Sequence, residues 1–197
     1  MAHTLPSPQR ESENKREREP ALAHKAANFV CFQVTWTVAV LSAATDLAWV
    51  GPILIACVAA HHVATAPRPR LEFRLARAAL LTGLLFETVR ALQGDVTYPY
   101  GQPVAWLPPY WLPALWVLFA TTLNVSLRWL RGRLLLAAGF GAVGGPLSFV
   151  AGARLGAAEI LHPLPCLLML AVGGAVIMPL LVSLAADLDG MVPREEP

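Results

Sequence analysis

The sequence predicts an all-α bundle of about six transmembrane helices, and three observations predict it. Hydrophobic residues make up 56% of the 197 residues. Charged residues make up only 14%, well below the roughly 25% of an average soluble domain. The charges are concentrated in a few segments, with long apolar runs between them, and nearly all the basic residues fall on one of the two sides that such a bundle would have. This composition therefore fits a chain that has lipid as part of its solvent.

Six apolar segments are long enough to cross the membrane as helices, since a hydrocarbon core of roughly 30 Å needs about 20 helical residues. The first two are joined so closely that they predict a helical hairpin, and charged residues make the third the least apolar. The predicted spans are 28–45, 47–66, 75–92, 111–130, 134–153 and 164–186. They form one transmembrane domain, 27–187, between a charged, disordered tail, 1–26, and a short tail, 188–197.

The connection between the third and fourth spans, 93–110, is expected to lie at the membrane surface. It contains four prolines, which exclude a regular helix. Aromatic residues surround the start of the fourth span, as expected for rings at the level of the lipid headgroups. They are Trp106, Tyr110, Trp111 and Trp116.

Basic side chains predict the orientation of the bundle. When the six spans alternate in direction, 13 of the 15 Lys and Arg residues fall on one side, and only Arg90 and Arg154 on the other. Basic residues are enriched in cytoplasmic connections. Both termini are therefore expected in the cytoplasm.

Several classes of site are not indicated. The cysteines, Cys31, Cys57 and Cys166, are widely spaced in apolar stretches, which fits neither a zinc site nor a disulfide framework. The sequence has no glycine-rich phosphate loop, and its arginines are scattered at helix ends rather than gathered on a nucleic-acid-binding face. We therefore expect no metal, no cofactor and no nucleic-acid partner, and the lipid bilayer as the main partner.

Glu87 is the most informative single residue. It falls in an apolar run, where a carboxylate has to pair, become protonated or face a polar cavity. Arg90 follows three residues later on the same helical face, which predicts an ion pair within the helix. A role toward a substrate or a proton is the alternative.

Other polar residues at membrane depth suggest a functional pocket. Asn124 and Arg128 are four residues apart and are predicted to share a face of the fourth helix, whereas Ser126 points elsewhere. An Asn in a membrane helix often bonds to another helix. The candidate polar pocket consists of Gln33, Glu87, Asn124 and Arg128, and the secondary candidates are His61, Ser126, Arg90 and Arg154. By depth, Glu87 belongs to the outer half of the membrane and Asn124 with Arg128 to the inner half, so they need not share one site.

Small residues mark the fifth span. Ala137, Gly141 and Gly145 recur every four residues, a spacing that lets two helices approach closely. Such a face predicts packing within the chain, or binding of a membrane-protein partner or a second copy through Gly141 and Gly145. Pro146 raises the alternative of a broken helix that lines a polar cavity.

Four motifs carry a resemblance to a known family. They are NFVxFQxxW from Asn28, LPPxW from Leu107, ATTLNxSLxWL from Ala120 and GGPLSFxAGARLG from Gly144. Residues 28–186 resemble a family of small bacterial inner-membrane proteins catalogued only as a domain of unknown function. The resemblance implies a bacterial inner membrane and no established activity, and some members are encoded near lipid-modifying genes. A His common in the third motif is replaced here by Val125, so no catalytic role for that histidine carries over.

Three classes of function stay open at this point, and the sequence does not decide whether the chain is an enzyme. The leading hypothesis is a polar pocket that acts on membrane lipids or lipid-soluble substrates. The second is an accessory or assembly subunit of a membrane complex, and the third a small transporter that acts as an oligomer.

Overall fold

The structure is a computed structural model that describes residues 22–192. Within that part the chain forms six α-helices, which confirms the predicted all-α fold class. They are α1 (Leu22–Ala43), α2 (Val50–Thr65), α3 (Pro69–Gln93), α4 (Trp111–Leu123), α5 (Leu134–Arg154) and α6 (Pro163–Asp187). Two short antiparallel strands, β1 (Val96–Thr97) and β2 (Glu159–Ile160), join the α3–α4 connection to the α5–α6 connection, and a 3₁₀ turn, Arg128–Leu130, precedes α5.

The helices pack as two groups. In the first, α1 packs on α2 and α4, while α3 packs on α2 and α4. In the second, α5 and α6 form a closely packed hairpin that contacts the first group through α6 against α3 and α4. Across the described residues, α1 and α5 do not pack side by side. The bundle has a Trp111 end, where α4 begins, and an Asn124 end, where α4 stops.

Three helices, α1, α5 and α6, are long and apolar enough to cross a membrane. The most apolar 18-residue window of α6 has a mean hydropathy of 2.5, yet only 22% of that window is buried inside the protein. An apolar face that points outward needs lipid around it. On α6 this face recurs every four residues, at Leu164, Leu168, Val172, Val176 and Leu180. Two further apolar helices, α2 and α4, are shorter, with 16 and 13 residues.

The charged third helix, α3, has one exposed face and one buried face. It begins with Pro69, whose missing N–H costs nothing at a helix start, and Gly94 ends it with a φ of 70°. Three of its arginines, at positions 70, 74 and 77, are exposed. The buried residues recur at helical spacing and include charged ones: Glu72, Leu75, Ala79, Gly83, Glu87 and Arg90.

The fourth helix is shorter than predicted. The sequence predicted a span over 111–130, but α4 ends at Leu123 and the next residues form turns. The Thr122 carbonyl accepts hydrogen bonds from two amides beyond the helix, which close the turn. Short polar side chains such as Asn compete with helical hydrogen bonding, which favours a stop there. Asn124 and Arg128 therefore lie outside a regular helix, and the prediction that they share a helical face is wrong.

The fifth helix is continuous through Pro146, so the broken-helix alternative is wrong. Its small residues pack within the chain. A Cβ added to Gly141 would collide with the carbonyl of Gly174 in α6, and one added to Gly145 would lie 3.3 Å from the Leu170 carbonyl oxygen. A partner that binds through these glycines would have to displace α6, and such a partner stays a prediction.

The connection before α4 has no helix, as predicted, but its aromatic rings divide into two groups. Trp106 and Tyr110 are exposed, in agreement with a place among lipid headgroups. Trp111 is 3% exposed and donates a hydrogen bond to the Tyr100 carbonyl at 3.3 Å. Trp116 also points inward, so the prediction that all four rings lie at the membrane surface is wrong for these two.

Both predicted tails overlap the folded part. Residues 22–26 belong to α1 rather than to a disordered tail, and 1–21 lie outside the described residues. At the other terminus, Asp189 and Gly190 are buried, although 188–197 were predicted as a tail. The chain is held there by Arg68, whose amide donates to the Gly190 carbonyl at 2.9 Å.

Candidate functional site

An apolar cavity of about 560 Å³ lies between the two groups of helices. Sites for small ligands typically enclose roughly 300–1,000 Å³. Helices α1 and α4 form one wall, α5 and α6 form the other, and α3 adds two residues. Aromatic rings dominate the wall, among them Phe32, Trp36, Phe86, Trp116, Phe119 and Phe149.

The cavity runs along the helices and opens sideways. On α1 its lining extends from Phe29 to Val40, about 16 Å at a rise of ~1.5 Å per residue. Within residues 22–192, every exposed residue of the lining lies on α1 or α5, the two helices that do not pack together. These residues are Phe29, Gln33, Phe140, Leu147 and Ser148. The opening therefore faces the surroundings of the bundle, between α1 and α5.

Glu87 lies on the cavity wall and forms the predicted ion pair. Its Oε2 is 2.8 Å from Arg90 NH1, and its Oε1 accepts a hydrogen bond from Trp116 Nε1 at 3.3 Å. Glu87 and Arg90 are each 5% exposed. The guanidinium also lies 4.2 Å from the centroid of the Phe149 ring and 3.6 Å from Cys166 Sγ. A buried charge needs partners of this kind, and both members of the pair have them.

Two other predicted residues also line the cavity, Gln33 and Ser126. Gln33 is exposed at the opening, and its side chain forms no hydrogen bond inside the described part of the chain. Ser126 donates to Asn28 Oδ1 at 2.8 Å, and Asn28 in turn donates to the Thr121 carbonyl at 3.1 Å. These bonds fasten the first turns of α1 to the end of α4.

A buried polar network occupies the Asn124 end, separate from the cavity. Its centre is Glu72, which is 2% exposed and accepts hydrogen bonds on both oxygens. Oε1 accepts from Asn124 Nδ2 at 2.6 Å and from the Gly190 amide at 2.9 Å, and Oε2 is 3.0 Å from His62 Nε2. The side chains of the network are those of His62, Glu72, Asn124, Arg128, Arg131 and Asp189.

Two arginines join the rest of this network. Arg131 donates to Asn124 Oδ1 and, at 2.7 Å, to Asp189 Oδ2. Arg128 NH2 is also 2.7 Å from Asp189 Oδ2. The two carboxylates and two guanidiniums balance in charge, as buried ionic groups must. Among the side chains described, Arg131 Nε is the buried polar atom left without a partner.

The hydrogen bonds and ion pairs of the network hold separate segments of the chain together. The network joins α2, the start of α3, the end of α4 and the chain after α6. In the described residues no group of three or more His, Cys, Asp or Glu side chains could hold a metal ion. Asn124 bonds across to another helix, as predicted.

The four residues of the predicted pocket therefore divide between two places. Glu72 and Glu87 mark these places on α3, fifteen residues apart, which is about 22 Å along the helix. Gln33 and Glu87 face the cavity. Asn124 and Arg128 belong to the network and do not line the cavity. The sequence left open whether these residues share one site; the structure separates them, and the role of each residue stays a prediction.

The remaining candidates also lie apart. His61 is exposed, whereas its neighbour His62 bonds to Glu72. Arg154 is exposed at the Trp111 end, where it lines an open recess of about 640 Å³ beside the cavity.

Comparison with known families gives one result. The family described as "Protein of unknown function (DUF2878)" matches residues 25–180, more than three quarters of the chain. The chain belongs to this family. The matched part of this DUF2878 protein contains the whole cavity wall except Leu181, and it contains Glu72, Asn124 and Arg131 of the network but not Asp189. No curated protein and no solved structure matches the chain.

Sequence reasoning missed the centre of the network, Glu72. A signal for it was present, since Glu72 lies on the same helical stripe as Leu75, Ala79 and Glu87, at steps of three and four residues. Asp189 carried no such signal, because a carboxylate after the last helix is usually solvated. Only the fold brings it to the arginines.

Proposed function

We propose that this chain is a six-span protein of the bacterial inner membrane, with both termini in the cytoplasm, whose cavity binds a lipid or a lipid-soluble molecule. The observation that carries the proposal is the cavity itself: about 560 Å³, lined by aromatic and aliphatic side chains, with its exposed lining on α1 and α5. A ligand that enters between these helices comes from the medium around the bundle. The outward apolar faces of α5 and α6 require that medium to be lipid.

The character of the lining favours an apolar occupant over a polar solute. Burial of apolar ligand surface supplies most of the binding energy in such a site, and a few polar groups fix the orientation. Here those groups are Gln33 at the opening and Glu87 on the wall, the latter already paired with Arg90. A transporter of polar cargo needs a continuous polar path along the bundle, and this lining does not favour one.

The distribution of basic residues supports the topology. Arg68, Arg128, Arg131 and Arg133 all lie at or near the Asn124 end, together with the exposed arginines of α3. Cytoplasmic ends of membrane proteins carry such an excess. The shorter helices α2 and α4 cross the membrane within the bundle, where protein rather than lipid surrounds the adjoining non-helical residues.

A matched pair of variants on α5 tests the binding proposal. Gly144 lines the cavity, and a Cβ there would meet only the Phe140 ring, at 3.9 Å, whereas a Cβ on Gly139 meets nothing within 4 Å and Gly139 does not line the cavity. Gly144→Leu should therefore fill the cavity, and Gly139→Leu should add an apolar side chain elsewhere on the same helix.

Native mass spectrometry of the purified protein measures the molecules that remain bound after detergent exchange. We expect wild type and Gly139→Leu to retain lipid or a lipid-soluble molecule, and Gly144→Leu to lose most of it while melting at a similar temperature. Equal retention by all three folded proteins, or no retained molecule in any of them after incubation with lipid extract, would overturn the proposal.

The lipid profile of a deletion strain tests whether binding serves lipid metabolism. Complementation with wild type should restore any altered profile, and complementation with Gly144→Leu at equal abundance should not. Glu87→Ala and Asn124→Ala are both expected to act through lower abundance, because the first breaks a buried ion pair and the second disrupts the buried network.

A further inference from the structure

The Trp111 end carries an open recess of about 640 Å³ directly above the cavity. Its walls come from the α3–α4 connection on one side and from the end of α5 with the residues after it on the other. The short strands hold these walls together, with Val96 opposite Ile160 and Thr97 opposite Glu159. The Asp95 carbonyl adds a bond by accepting from the Leu161 amide at 2.9 Å.

The recess and the cavity are neighbours. Ala153 and Ala158 line both of them, so the two spaces adjoin at these small side chains. One molecule with an apolar part and a polar part can therefore occupy both spaces, with its apolar part in the cavity.

Two opposite charges line the recess without protein partners. The side chains of Arg154 and Glu159 are exposed, and neither has a hydrogen bond or ion pair to any described residue. Buried charges of the bundle, such as Glu87 with Arg90, are paired, whereas Arg154 and Glu159 are exposed and line one recess together. The charges of the recess are thus available to a ligand.

We propose that the bound molecule is a membrane lipid with a zwitterionic headgroup, its acyl chain in the cavity, its phosphate at Arg154 and its amine at Glu159. This inference rests on the proposed lipid binding and adds the class of lipid. Arg154 attracts a phosphate, and Glu159 attracts an ammonium group while repelling a headgroup whose net charge is negative.

Thr97 supplies a neutral polar group to the same recess, and Tyr98 forms part of its wall. Burial raises the pKa of the Tyr98 hydroxyl above its usual range, and this hydroxyl lies close to the buried Arg90 guanidinium. The Thr97 hydroxyl and the Arg154 guanidinium line the same recess, and a hydroxyl donor with a guanidinium suits a single phosphate.

A competition between two lipids tests the headgroup assignment. The full-length protein, delipidated in detergent, is incubated with an equimolar mixture of phosphatidylethanolamine and phosphatidylglycerol that carry the same acyl chains, and bound lipid is counted by native mass spectrometry. The variants are Arg154→Gln and Glu159→Gln. Arg133→Gln is the matched control, because Arg133 is an exposed arginine just before the other end of α5.

We expect wild type and Arg133→Gln to favour phosphatidylethanolamine. Glu159→Gln should shift the ratio of bound lipids toward phosphatidylglycerol by up to about five-fold, as the loss of an exposed ion pair does. Arg154→Gln should weaken the binding of both lipids by a similar factor. The inference is overturned, and the proposed function left intact, if Gly144→Leu abolishes lipid binding but Glu159→Gln leaves the headgroup ratio unchanged and Arg154→Gln leaves the amount of bound lipid unchanged. Binding that Gly144→Leu does not reduce would overturn both.

Discussion

Asn124 Nδ2 donates a hydrogen bond of 2.6 Å to Glu72 Oε1, across 52 residues of sequence. Glu72 begins the buried stripe of α3, and Asn124 is the residue at which α4 stops. The bond therefore fixes the start of one helix against the end of another. The same Asn124 amide group also donates to the Leu188 carbonyl at 3.2 Å, which ties in the chain after α6.

Loss of the Glu72 carboxylate should destabilise the protein strongly. Glu72→Ala removes the acceptor for Asn124, His62 and the Gly190 amide at once. Removing one partner from a buried charged network of this kind lowers stability by about 3–5 kcal/mol. We expect a corresponding fall in the free energy of unfolding, measured by denaturant titration in detergent micelles. The control is Asp187→Ala, which removes an exposed carboxylate near the same end and should change little. Equal effects of the two variants would contradict a central role for Glu72.

The two adjacent histidines should differ in their effect on stability. His62 Nε2 lies 3.0 Å from Glu72 Oε2, whereas His61 is exposed. His62→Ala is expected to lower the free energy of unfolding by about 1–3 kcal/mol, as loss of a hydrogen bond to a charged group does. His61→Ala should leave the melting temperature unchanged. The assignment fails if His61→Ala is the more destabilising of the two.

Replacing a glycine of α5 by alanine should change stability by an amount that depends on the atoms beside that glycine. A Cβ at Gly141 would collide with the Gly174 backbone, while a Cβ at Gly139 has open space. Gly141→Ala should therefore force α5 and α6 apart at a cost of about 1–3 kcal/mol. Gly139→Ala should leave stability unchanged or raise it by less than about 1 kcal/mol, because alanine favours the helix. A neutral Gly141→Ala in thermal unfolding would show that the helices do not approach so closely.

Glu87 and Arg90 should behave as a coupled pair. Arg90→Met leaves the Glu87 carboxylate buried with only Trp116 as a donor, and Glu87→Gln leaves the guanidinium without its counter-charge. Each single change should cost about 3–5 kcal/mol, whereas the double variant should cost clearly less than the sum. A double-mutant cycle on the free energy of unfolding measures the difference. Additive costs would mean that the two charges do not stabilise each other.

Much of the fold is readable from the sequence because its signals are local. Long apolar runs predict helices wherever they occur, and the prolines before Trp111 exclude a helix there. The Glu87–Arg90 pair is equally local, since three residues of helix bring the two side chains together. The end of α4 was not predicted, because apolar residues still recur after Asn124, at Val125, Leu127 and Trp129, and the competing turn is decided by side-chain bonds to other segments.

The apolar, membrane-compatible character of the chain depends on composition and spacing alone, so the sequence by itself determined it, together with the all-α class and the family. Only the tertiary structure decided which polar residues meet. It separated Gln33 and Glu87 from Asn124 and Arg128, and it added Glu72 to the second group. The physical reason is that a buried charge finds its partners in space, on helices far apart in the chain. The cavity likewise depends on tertiary packing, because it lies where α1 and α5 do not pack against each other.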